Sequence, residues 1–86
     1  MNLHQQQQRL YVTQAVEAAR TAIDLYKALP RVDAELLASF AVALAEVEKI
    51  AARHERGETT LSAAVYPARK LATEIELATH FADDLA

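Results

Sequence analysis

Between Asp33 and Arg56 the chain carries neither glycine nor proline, and its apolar residues recur at helical spacing: Leu36, Leu37, Phe40, Ala43, Leu44, Val47, Ile50 and Ala51, with His54 at the end of the same face. At about 100° per residue these positions form one broad stripe of the kind that faces a core. Asp33 is placed as an N-cap whose carboxylate can accept from the first free backbone N–H groups. Arg53 and Arg56 suit the negative end of the helix dipole, and Gly57 can take the left-handed backbone that closes a helix. The pattern predicts a central helix over about 34–56.

Two further helices are predicted on either side. Val12, Ala15, Val16, Ala19, Ala22, Ile23 and Tyr26 share one face, opposed by Thr13, Glu17, Arg20, Asp24 and Lys27, with Glu17–Arg20 and Asp24–Lys27 as exposed i, i+3 pairs. Gln5 to Gln8 fit polar first turns or a frayed tail, so the helix is expected from about 5 to 28, where Pro30 pushes Leu29 toward extended backbone. Leu3 and Leu10 project almost opposite the seam and fit either a loose end or an intersubunit contact. The short connection to Asp33 implies an antiparallel hairpin.

After Gly57 a polar turn offers Thr59 or Thr60 as the next cap. Leu61, Ala64, Ala68, Leu71, Ile75, Ala78, Ala82 and Leu85 then alternate steps of three and four, a heptad seam over about 61–85. Pro67 lies inside it without an N–H to donate, which predicts a kink or break near 67. The fold expected over 1–86 is a single all-α domain, a helical hairpin plus a third, Pro-kinked helix in a three-helix bundle.

Some apolar positions fall outside these seams. Ala34, Ala38, Ala41 and Ala45, continued by Ala52, make a smooth ridge on the second helix, either exposed filler of good helix formers or a docking surface. Leu77 and Phe81 sit one turn apart on a flank with Tyr66, Lys70 and Glu74, where they contact a partner or widen the core. Ala34, Ala38, Ala41, Ala45, Leu77 and Phe81 are the expected partner-binding residues.

With 86 residues, 52% of them hydrophobic and many only alanine, a lone monomer buries little per residue, which favours self-association. The net charge of -3 gives no footprint for nonspecific nucleic-acid binding or for acidic membranes. The lack of cysteine excludes disulfides and thiolate chemistry, and no stretch has the length and apolarity of a membrane span or the layout of a signal peptide. A soluble cytoplasmic protein is expected.

Candidate chemistry is sparse. Glu76, His80 and Asp83 or Asp84 make the best metal-like cluster, but the paired Glu-x-x-His motifs of di-iron bundles do not occur, and a solvated polar face explains the group. His54 reads as a boundary histidine. One glycine excludes a Gly-rich phosphate loop. No metal, cofactor or enzymatic activity is expected. Lys49, Arg53, Arg56, Arg69 and Lys70 fit dipole complementation and solubility, or a phosphate-contacting patch.

The order Asp33-Ala34-Glu35-Leu36-Leu37, then Phe40, an alanine-rich acidic helix, the turn at Gly57, the Tyr66-Pro67 step and a last helix ending at Leu85 resembles the helical core of some tailed-phage small terminase subunits, over about 29–86. The resemblance implies an oligomeric, non-catalytic DNA-packaging factor that works with a large ATPase and nuclease subunit. The basic, Pro-rich arm and the Leu-Gly-Leu-Thr-Pro-like ending usual there have no counterpart in these residues. The leading expectation is a non-enzymatic interaction or assembly module that binds itself or another protein. The alternatives are a small-terminase-like factor that touches nucleic acid, or a small regulator or inhibitor of a larger protein.

Overall fold

The computed structural model describes the backbone of residues 3–85 and the side chains of 3–82. Three helices follow one another, α1 (Leu3–Lys27), α2 (Ala34–Glu55) and α3 (Leu61–Leu85), and pack together as an all-α bundle. Short connections reverse the chain twice, so α1 and α3 run the same way with α2 against both. Gln5 to Gln8 lie within α1, and His4 Nε2 comes within 2.8 Å of Gln8 Nε2 one turn on.

Local chemistry fixes the joints. The Asp33 carboxylate accepts from the Glu35 and Leu36 N–H groups at 3.0 and 3.1 Å, and the Asp33 N–H donates to the Tyr26 hydroxyl at 3.2 Å. That last bond ties the connection to the end of α1, where the Tyr26 ring meets Phe40 edge-on at 5.5 Å. At the far end of α2, Gly57 adopts φ 75°. Its N–H donates to the His54 carbonyl and that of Glu58 to the Arg53 carbonyl, the paired bonds that satisfy a helix's last carbonyls. Thr60 opens α3, its hydroxyl accepting from the Ala63 N–H at 3.1 Å.

Two expectations fail. Of the kink or break expected near Pro67, the break into two segments does not occur, because α3 is helical from Leu61 through Leu85 with Pro67 inside it. The proline removes one donor, to the Ala63 carbonyl, whereas the seam on both sides of it buries in the same core, and that packing outweighs the one lost bond. The second is the Asp24–Lys27 pair, which does not form within 4.0 Å, whereas Glu17 meets Arg20 at 2.6 Å.

The core is built from the three predicted faces. From α1 come Val12, Ala15, Val16, Ala19, Ala22, Ile23 and Tyr26; Phe40 and Val47 come from α2, and Ala64, Ala68, Leu71, Ala72 and Ile75 from α3. Ala15, Ala19, Ala64 and Ala68 are fully covered, so α1 and α3, which pack against each other, each bury small side chains on their core faces. The molecule is a rod of 49 × 19 × 16 Å whose radius of gyration, 14.3 Å, exceeds the roughly 12 Å of a compact domain this long. Its accessible surface is 5871 Å² against about 5,050 Å² for an ordinary monomer of this mass. The fold therefore leaves more side surface open than its size requires.

Candidate functional site

The helix wheel that builds the core also decides what it leaves outside. On α3 the buried arc is centred on Ala64, Ala68, Leu71 and Ile75, and the opposite side carries Tyr66, Lys70, Leu77 and Phe81. Tyr66, Leu77 and Phe81 are 67%, 51% and 60% exposed. A wide core does not reach them. The Phe81 ring lies 6.2 Å from the His80 ring, at the edge of this stripe.

On α2 the ridge Ala34, Ala38, Ala41 and Ala45 is exposed throughout, while Ala52 at its lower end is half-buried beside α1. Val42, 66% exposed, stands against the ridge and adds a branched side chain to it. It escaped the sequence reading because a single valine outside the main stripe has no periodic partner. The six residues expected to meet a partner thus all reach the surface, four on α2 and two on α3.

The five cations are exposed as well, near the end of the bundle where α2 hands over to α3. Carboxylates already stand beside three of them: Lys49 meets Glu46 at 3.3 Å, Arg56 meets Glu58 at 2.8 Å, and Lys70 meets Glu74 at 4.0 Å. The bond from Arg56 holds the Glu58 carboxyl below the usual carboxylate range, with Arg53 adding a weaker pull in the same direction. Exposed pairs of this kind are screened by water and contribute little to stability.

One polar cleft of about 340 Å³ opens between α1 and α2. Val12, Val16 and Ala51 form its floor, with Arg9, Thr13, Arg20, Glu48, His54 and Glu55 around the rim. Arg20 spans it, bonded to Glu17 on its own helix and reaching Glu48 on α2 at 3.3 Å. The hydrogen bonds that Arg20 donates to Glu17 and then to Glu48 raise its pKa above the ordinary arginine value. This bridge joins α1 to α2. Among the described side chains no hydrogen bond couples His54 to a hydroxyl or carboxylate, and His54 is only half-buried. Nor does any group of three or more His, Asp or Glu side chains there come together as a metal site. The Asp83 and Asp84 side chains invoked beside Glu76 and His80 lie outside the described residues.

An apolar groove runs along the α1–α3 junction between Tyr11 and the first turns of α3, lined by Leu61, Val65, Tyr66 and Arg69. Tyr11 is 50% exposed there and joins this groove to the outer face of α1. No helix among the described residues is long and apolar enough to cross a membrane. No protein-family model, curated protein or solved structure matches this chain.

Proposed function

We propose that the protein is a non-enzymatic assembly module, a three-helix rod that meets other chains through helix faces its own core does not use, and that it forms homo-oligomers. The observation carrying this reading is the stripe of Tyr66, Leu77 and Phe81 on α3, each more than half exposed on the side away from the core. Two aromatic rings and a leucine along about 22 Å of one helix make a patch of the kind that anchors interfaces. The Ala34, Ala38, Ala41 and Ala45 ridge with Val42 supplies a second face, smooth enough for another helix to lie close.

The DNA-packaging reading, with Lys49, Arg53, Arg56, Arg69 and Lys70 on phosphates, has less support. Three of the five cations already have carboxylate neighbours, and the chain is net acidic. The test is the solution mass of the wild-type chain beside Phe81→Asp, with helicity as the folding control. The reading expects a mass above 9.5 kDa that Phe81→Asp lowers. A folded variant with an unchanged mass removes the α3 stripe from the interface.

A further inference from the structure

α1 bears its own outer face, and its charges avoid it. Arg9, Glu17, Arg20, Asp24 and Lys27 all fall in one arc of about 80°, on the flank shared with α2, whereas the neighbouring arc of about 100° holds only uncharged side chains. Along that arc run Leu3, Gln7, Leu10, Gln14, Ala18, Thr21 and Leu25, with Tyr11 at its edge. The three leucines are 71%, 54% and 59% exposed. Missing charge combined with exposed leucine is the composition of an interface centre rather than of a solvated surface.

The stripe also reads the same in both directions. Its steps from Leu3 are four, three, four, four, three, four, a palindrome about Gln14. Under a two-fold axis through Gln14, a second α1 laid antiparallel brings Leu3 against Leu25, Gln7 against Thr21 and Leu10 against Ala18, so that apolar meets apolar and polar meets polar. A parallel pair needs no such symmetry. The two Gln14 amides meet at the axis, and together with the Gln7–Thr21 pairs on either side of it these polar contacts between the leucines fix register. Opposed helix dipoles favour the same direction.

We infer that the outer face of α1 is an isologous interface, on which a second copy of this chain docks antiparallel about Gln14. The inference deepens the assembly reading and rests on it for the premise that copies of the chain meet. Covering the eight side chains on both copies removes roughly 600 Å² per protomer, about 1,200 Å² for the pair, the lower edge of stable specific interfaces. It also removes most of the surface by which the lone rod exceeds an ordinary monomer of its mass.

The experiment uses the full chain, which has no cysteine and so accepts single spin labels cleanly. Labels at Thr13→Cys and, separately, Lys27→Cys report distances between copies, and sedimentation equilibrium gives the masses of wild type, Leu10→Glu, Phe81→Asp and the double variant. At about 1.5 Å rise per residue an antiparallel pair puts the two Lys27→Cys labels about 40 Å apart and the Thr13→Cys labels within roughly 20 Å. Leu10 is exposed, so Leu10→Glu keeps the fold and weakens association at least 10-fold. The double variant is then a monomer. If copies associate but Leu10→Glu has no effect, or if both labels give the same distance, the α1 inference is overturned and the assembly reading stands. If Leu10→Glu disperses the oligomer and Phe81→Asp changes nothing, the α1 interface stands and the α3 stripe falls. A wild type that is monomeric throughout overturns both.

Discussion

Asp33→Ala removes one side chain that does two separable things. Its carboxylate accepts from the Glu35 and Leu36 N–H groups at 3.0 and 3.1 Å, and its charge lies at the positive end of α2. Loss of the cap costs about 1 kcal/mol, and loss of the charge a further ~0.3 to 1 kcal/mol. The Asp33 N–H, bonded to the Tyr26 hydroxyl, is backbone and survives the change. Unfolding entropy near ~2.1 cal/mol/K per residue amounts to about 0.18 kcal/mol/K for a chain of this length. A loss of ~1 to 2 kcal/mol therefore lowers the melting temperature by about 6 to 11 °C. Asp33→Asn keeps an acceptor and gives up only the charge, so its drop is about 2 to 5 °C and shrinks in high salt. The assay is thermal unfolding followed by circular dichroism at one fixed protein concentration, because association makes the midpoint concentration-dependent. The reasoning is refuted if Asp33→Ala melts within about 2 °C of wild type, or if Asp33→Asn is as costly as Asp33→Ala.

Three further outcomes follow from the joints of the bundle. Pro67→Ala restores a donor to the Ala63 carbonyl inside an unbroken helix and should raise stability by ~1 to 2 kcal/mol; a lower urea midpoint would mean the ring itself is needed where it packs. Gly57→Ala meets nothing within 4 Å, so its whole cost is the left-handed backbone, about 1 kcal/mol by urea denaturation, and a neutral result would contradict that cap geometry. The Glu58 pKa lies lower in the folded chain, so the Arg56–Glu58 pair stabilises above the unfolded-state value and loses its contribution as pH falls through the folded one. Glu58→Gln should thus be slightly less stable than wild type at neutral pH and equal to it in acid, and a gap that persists in acid would assign the effect to something other than the charge.

How far the fold could be read from the chain depended on which signal was local. Asp33 and Gly57 announce the two ends of α2 by side-chain acceptor and backbone freedom, and both act in the bundle as their chemistry requires. The seam from Leu61 to Ala78 predicted the buried side of α3, because spacing alone sets which residues share an arc. Pro67 does not end the helix, since one missing hydrogen bond is a small term beside a seam that buries on either side of it.

The candidate surfaces were legible in part. Leu77 and Phe81 stood out by being off-register, and they are exposed. Val42, Tyr11 and Leu25 were missed because each is ordinary by itself; they gain meaning only when the buried arc is known and the residue's own arc can be compared with it. Leu3 and Leu10 read as breaks in a pattern, yet with Leu25 they belong to a second pattern of 11-residue period on the other side of α1. Periodicity gives the direction of a side chain around its own helix, and only packing says whether a neighbour stands in that direction.

Sedimentation equilibrium of the unmodified chain over a wide concentration range tests most directly the idea that the rod's surplus apolar surface is covered by other copies of itself. The account predicts a mass that climbs from 9.5 kDa to at least twice that as concentration rises. A constant 9.5 kDa at every concentration, with the helices intact, would contradict it.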